Sequence, residues 1–207
     1  MSYSSASERT RQKKDAKRTA MMKAAVRVFA EKGYHAATVR DIVRDADVAI
    51  GTFYFYFPDK ESLFVHLYEE TADFLLQAID QAVNSRADLP NQLLKGIQAY
   101  VNIALFEPAV IQLLLVGGVG AVPALTARRV EFRERLVAVW QRPLNEAIHQ
   151  GSIPLQNARR VAEAFAGAFD ENILNLLSYP EPEREAETAV QEMALFALRA
   201  VAYVGNE

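Results

Sequence analysis

Apolar residues recur at three- and four-residue steps along most of this chain. Met21, Ala24, Ala25, Val28 and Phe29 form the first such stripe, which predicts a helix. Gly33 follows it, and a glycine there enters the left-handed conformation without a Cβ clash, so the helix should end near Lys32. Thr38 then precedes Val39, Ile42, Val43 and Ala46. With Asp41 three positions on, it makes a capping box with Asp in place of the usual Glu, and predicts a short second helix. Asp47 and Val48 read as a turn, and a third short segment begins near Ala49. The run from Gly51 to Phe57 is ambiguous on local grounds: its aromatics favour a strand by propensity alone. Pro58 ends it.

From Lys60 to about Ser85 the pattern is helical again, with Leu63, Leu67, Phe74 and Ala78 on one face. Further helices are predicted over 89–106, 107–118, 124–149, 157–178 and 183–204. Pro143 should kink or interrupt the third of these, and Gly151 and Pro154 mark its end. Tyr179-Pro180-Glu181-Pro182 breaks the chain before the last. There is no internal repeat and no low-complexity tract.

The 207 residues carry 51% apolar and 24% charged side chains, the balance of a folded chain long enough to bury a core. With no cysteine, disulfides, thiolate metal sites and cysteine nucleophiles are excluded, which fits a reducing cytoplasm. The first twenty residues are polar and basic, unlike a secretory signal. Pro108 to Ala127 is uncharged, but Gly117, Gly118 and Gly120 would break a membrane span at its centre, so a buried helix followed by a turn is expected. Charge is unevenly placed. Residues 1–60 hold 12 Lys/Arg against 7 Asp/Glu, a net of +5, while the rest holds 11 against 19, a net of −8. A basic N-terminal part on an acidic body suggests a nucleic acid or another anionic surface as partner. Arg9, Arg11, Lys13, Lys14, Lys17 and Arg18 form the densest run; a solvated arm or a sequence-blind phosphate contact both fit it.

Other candidates for chemistry are few. His35, His66 and His149 show no metal-ligand spacing. Gly117-Gly118-Val119-Gly120 lacks the Gly-Lys-Ser/Thr of a phosphate loop and reads as a turn. No nucleophile motif or acid–base constellation is present, so neither an enzyme nor a cofactor is expected. Asp170, Glu171, Asn172 and Asn175 interrupt an apolar helix, as interface hydrogen bonders, ligand contacts or a solvated stripe. Trp140, Phe132, Tyr100, Phe106 and Phe74 are core or pocket lining. Arg128 and Arg129 are a surface pair or a site for an anionic group.

Glu31-Lys32-Gly33-Tyr34, then Thr38-Val39-Arg40-Asp41-Ile42, then Gly51-Thr52-Phe53-Tyr54-Phe55-Tyr56-Phe57-Pro58-Asp59-Lys60 resembles the TetR family of bacterial transcriptional repressors, over about residues 18–64. The resemblance implies an all-α protein. Residues 1–58 would hold the basic arm and a three-helix helix-turn-helix domain, and 59–207 a larger helical domain for effector binding and dimerisation. It turns the aromatic run into a recognition helix lying in the major groove. It implies that Phe53 and Phe57 pack inward. Thr38, Arg40, Tyr54, Tyr56 and Lys60 are then DNA contacts, together with Ala49, Ile50, Gly51, Thr52 and Phe55 of the groove surface. It implies dimerisation through the last two helices, with Phe165, Phe169, Ile173 and Leu177 and with Met193, Phe196, Leu198 and Val201 as their apolar faces. The partners so implied are a double-stranded, near-palindromic operator, a second copy of the chain and a small effector, with no membrane.

The sequence departs from the family pattern at four positions. Asp47 stands where a turn glycine is common, and Ala49 replaces the usual Ser or Thr cap. Ile50 and Phe55 replace positions that are often polar, so specificity should lean on thymine methyls, on Arg40 and on DNA shape. The effector region is rich in Leu, Val, Ala and Phe, which favours an apolar or amphipathic ligand. Leu113 and Phe169 join the five aromatics above as expected lining. Val116 to Arg129 resembles members that sense fatty acyl-CoA, with Arg128 or Arg129 at the phosphate end. A multidrug-type regulator of an efflux pump, and a helical binding protein with a degenerate DNA head, are the other readings.

Overall fold

The computed structural model describes residues 3–84, 87–118, 120 and 122–204, with side chains from Asp15 onward. Among the described residues there are nine α-helices and no strand. The chain divides into two compact units, one of Met1–Glu70 with Val116–Thr126 and one of Thr71–Leu115 with Ala127–Glu207. The unit that carries the helix-turn-helix thus extends past Pro58 and takes in a segment from mid-chain.

The first unit opens with α1 (Tyr3–Ala36). Gly33 inside it has φ 74 and ψ 164, so the regular helix breaks there and one more turn follows. The stripe Met21, Ala24, Ala25, Val28 and Phe29 is buried. The side chains of Arg9, Arg11, Lys13 and Lys14 lie outside the described residues. α2 (Val39–Asp45) packs on α1, and α3 (Ile50–Tyr56) packs on α2. The aromatic run is therefore helical, and its burial explains why. Phe53 and Phe57 are buried while Phe55 is 67% exposed. In a strand, 53, 55 and 57 would share one face; in a helix, 53 and 57 share a face and 55 leaves it. α4 (Lys60–Val83) starts with Asp59 Oδ1 accepting from Ser62 N at 2.6 Å, and Leu63, Phe64, Leu67 and Tyr68 bury into this unit. The mid-chain segment adds buried Val122 and Leu125. Its Gly118 has φ +66, and a Cβ there would come within 2.7 Å of the Phe64 ring.

The second unit contains the rest of α4, then α5 (Leu89–Phe106), α6 (Pro108–Leu115), α7 (Leu125–His149, of which 127 onward belongs here), α8 (Ala158–Leu176) and α9 (Pro182–Ala200). Asp88 caps α5 through Asn91 N at 3.1 Å, and Asn157 caps α8 through Arg160 N at 3.1 Å. α9 lies along α5 and α8. The helix α7 continues through Pro143 rather than stopping there. Proline lacks the N–H that would reach the carbonyl four residues back, so that carbonyl loses its helical partner while the ring stays buried. Phe74 departs from the predicted stripe. The buried positions of this half of α4 are Ala72, Leu75, Leu76, Ile79 and Val83, and Phe74 falls between them at 59% exposure. No single helix among the described residues is long and apolar enough to cross a membrane; α5 and α6 pass that test only as a pair bent by 110°.

The core of this unit is built on Trp140, which meets Phe169 edge-on at 5.0 Å. Gly96 makes room for it. A Cβ at Gly96 would stand 2.5 Å from Val83 Cγ1 and 2.8 Å from Trp140 Cζ3, and both neighbours are buried. Gly96→Ala is therefore expected to cost about 1–3 kcal/mol by overpacking, despite alanine's better helix propensity. A lowered unfolding midpoint, followed by the fluorescence of this single tryptophan, is the check.

Candidate nucleic-acid interface

The helix-turn-helix is built by local hydrogen bonding that the sequence encodes. Thr38 Oγ1 accepts from Asp41 N at 3.1 Å, and Asp41 Oδ2 accepts from Thr38 N at 3.1 Å, a complete capping box. Asp41 also receives Lys32 Nζ at 2.9 Å and Arg44 Nη2 at 2.7 Å. The Lys32 ammonium first, and the Thr38 hydroxyl second, hold this carboxyl far below the usual carboxylate range. At the other end of α2, Asp47 N donates to Arg44 O at 3.3 Å and Val48 N to Val43 O at 3.0 Å. That pair of bonds is a Schellman closure, and Asp47 takes its left-handed position at φ 52. Ala49 begins α3 with no side-chain cap bond.

The expected DNA contacts fall into two groups. Ile50, Tyr54 and Phe55 are exposed at 45%, 55% and 67%, and Arg40, Ala49 and Gly51 are exposed too. Thr52 and Tyr56 are half-buried; the Tyr56 ring stacks edge-on with Phe55 at 4.9 Å. Arg40 makes no ion pair among the described residues, whereas Arg27 is paired with Asp45 and Arg44 with Asp41. Two predicted contacts are already engaged by the protein itself. Thr38 spends its hydroxyl on the cap. Lys60 donates to Tyr34 O at 2.6 Å and Ala37 O at 2.8 Å, with its ammonium 4.3 Å from the centroid of the Tyr34 ring. Partial burial lowers its pKa. Of its three N–H donors, two brace the end of α1.

The residues expected to meet an effector do not all gather. Tyr100, Leu113, Phe132, Trp140 and Phe169 are buried in the second unit. Phe106 is 81% exposed and Phe74 59%, so neither is buried with these five. Arg128 lies 3.9 Å from Glu131, and Arg129 donates to Leu115 O at 3.1 Å, at the end of α6. Of Asp170, Glu171, Asn172 and Asn175 in α8, only Asp170 is buried. It accepts from Tyr100 Oη at 2.8 Å and pairs with Arg133 at 3.0 Å. Burial raises its pKa, and Arg133 and Tyr100 oppose that rise. Arg133 was not singled out in the sequence. Its signal was the seven-residue spacing to Trp140, which puts both on one side of α7. An open groove of about 460 Å³ runs along α7, lined by residues between Ala138 and Gln150, and shares none of the expected effector residues.

The dimer expectation needs correction. Phe165, Ile173, Met193 and Val201 are at most 3% exposed, as core of the protomer itself. Leu177 and Leu198 are half-buried, and Phe196 is 50% exposed. The strongest apolar stripes of α8 and α9 are consumed by packing on α5 and on each other. What those helices leave open is Ala164, Gly167, Leu195 and Phe196, with charged and amide neighbours.

Residues 21–67 match the family model of bacterial regulatory proteins of the tetR family. The match covers the N-terminal helices of the chain, which are similar to that family over this stretch. It is 32% identical over 80 residues to the fatty acid metabolism regulator protein of Bacillus subtilis, covering 39% of this chain and 41% of that one. The chain thus spans less than half of that relative's length. Its fold is similar to the transcriptional regulator FadR of Bacillus subtilis in complex with stearoyl-CoA, with a TM-score of 0.73 at 21% identity, over 85% of this chain and 97% of that chain. It is similar also to a bacterial regulatory protein of the tetR family from Rhodococcus, with a TM-score of 0.75 at 24% identity, over 91% and 98% of the two chains.

Two substitutions test the local build. Asp41→Asn should lower the unfolding midpoint at neutral pH. A depressed carboxyl pKa stabilises above its unfolded value near 3.8, so the wild-type advantage should shrink as pH falls below that value; melts between pH 7 and pH 2 read it. Asp47→Gly should raise stability by roughly 0.5–1 kcal/mol by removing left-handed strain, measured by urea unfolding.

Proposed function

We propose that this chain is a ligand-responsive transcriptional repressor that binds a near-palindromic operator as a homodimer. The observation that carries the reading is α3, a seven-residue helix with Phe53 buried and Ile50, Tyr54 and Phe55 facing outward behind a capped α2. Two such helices, one per protomer, would enter successive major grooves. Arg40, which makes no ion pair among the described residues, is the cation we assign to a phosphate, and Tyr54 a phenol for a phosphate oxygen. Dimerisation through the open faces of α8 and α9, around Ala164, Gly167, Leu195 and Phe196, would set their spacing.

The effector we propose is a long-chain fatty acyl-CoA. The identity with the Bacillus subtilis fatty acid metabolism regulator and the apolar interior of the second unit support it. Arg128, on the first turns of α7, is suited to its phosphates. α4 is one continuous helix from Lys60 into the second unit, where Asp73 pairs with Arg135 at 2.7 Å and Asp80 with Arg142 at 2.8 Å. An effector that prefers one position of α4 over another would alter the head spacing, and DNA would weaken the effector in return.

The test begins with enrichment of a duplex from a random pool by the purified protein. Affinity for that duplex should fall about tenfold between 50 and 200 mM salt if each protomer neutralises one phosphate, and Arg40→Ala should flatten the dependence by about two in log–log slope if it is that cation. Stearoyl-CoA should release the duplex and free coenzyme A should not. Enrichment of no sequence would overturn the repressor reading. Release by polyaromatic cations instead of stearoyl-CoA would favour a multidrug-type regulator.

A further inference from the structure

The outward arc of α3 has an unusual chemistry for a surface that reads DNA. In helical register, Ile50 stands one turn from Tyr54, and Gly51 one turn from Phe55. These four positions are exposed, while Phe53 is buried and Thr52 and Tyr56 are half-buried. Across the whole arc, the side chains offer one polar group, the Tyr54 hydroxyl. Beyond its chain neighbours and the backbone of α3, Gly51 has nothing within 4 Å of where a Cβ would be, so the arc is open at that position, with Ile50, Tyr54 and Phe55 around it in register.

Resting on the reading of α3 as a recognition helix, we propose that this exposed apolar arc reads pyrimidine 5-methyl groups, and that Ile50 and Phe55 are the specificity-determining residues. In the major groove, guanine, cytosine and adenine present donors and acceptors, and thymine alone adds an apolar group. An isoleucine or phenylalanine pressed against a G·C edge strips water from polar atoms and gives no hydrogen bond back. Against a thymine it buries a methyl and leaves the O4 acceptor beside it accessible. The 45% and 67% exposure of these two side chains is the area such a contact would cover. Among the exposed side chains of the arc only Tyr54 offers a hydrogen bond, so the methyl pattern carries most of the sequence information that this face extracts.

The experiment uses the full chain and the duplex it enriches from a thymine-containing random pool. That duplex is resynthesised with deoxyuridine at each enriched thymine in turn. Uracil keeps the Watson–Crick and major-groove hydrogen-bonding pattern and lacks only the methyl. Affinities are read by fluorescence anisotropy. Replacing one contacted methyl in each half-site should weaken wild-type binding about fifteenfold, about fourfold per methyl. Phe55→Ala or Ile50→Ala should bind the thymine duplex more weakly and lose the distinction between thymine and uracil. Both side chains are exposed, and melting curves confirm that the variants fold. Equal affinity of the wild type for both duplexes would overturn this proposal and leave the repressor reading standing. Discrimination that survives intact in both variants would overturn the assignment to α3. Failure to enrich any duplex would overturn the repressor reading, and this inference with it.

Discussion

The ammonium of Lys60 holds two backbone carbonyls that the end of α1 cannot satisfy by itself. In an uninterrupted helix, Tyr34 O would accept from Thr38 N and Ala37 O from Asp41 N. Both of those N–H groups are taken by the capping box, one by Asp41 Oδ2 and the other by Thr38 Oγ1. Ending α1 and starting α2 within two residues therefore strands two acceptors, and the first residue of α4 supplies the donors. A charged donor makes the stronger kind of hydrogen bond. Tyr34 lies under the same ammonium and stacks on Phe64, which stacks on Phe29. One cation thus fixes the corner where α1, α2 and α4 meet, and with it the platform on which α3 sits.

That corner was partly legible in the sequence. Thr38 and Asp41 announce their cap by spacing alone, because the bonds they make are three residues long. Gly33 and Asp47 mark left-handed positions for a similar reason. The role of Lys60 was not legible: its partners lie 23 and 26 residues away, and a lysine at a helix start reads equally well as a group aimed at phosphate. The aromatic run shows the opposite failure of local reasoning. Its intrinsic preference is for a strand, and only the burial of Phe53 and Phe57 against the rest of the unit makes it a helix.

In the second unit, periodicity located the helices well and the residues' employment poorly. A stripe such as Phe165, Phe169 and Ile173 is visible as apolar, but nothing in its spacing says whether it meets its own chain or a second copy. The strongest stripes went to the protomer's core, leaving small and mixed positions outward. Asp170 is a further case. Its burial is compensated by Tyr100 and by Arg133, neither of which is near it in sequence. The carboxylate is held in an otherwise apolar region because both partners arrive from other helices.

The segment Val116–Thr126 bears on how the protein can be dissected. It is tethered at both ends to the second unit, yet Val122, Leu125 and the closely fitted Gly118 belong to the first. The polypeptide therefore crosses between the units three times. A clone stopped after Glu70 would bare one side of Phe64, whose other neighbours are Phe29 and Tyr34, so the aromatic cluster beside α2 and α3 would be left incomplete. The modular, bead-on-a-string arrangement that a head-and-body layout suggests does not apply here: the N-terminal piece borrows part of its interior from mid-chain residues.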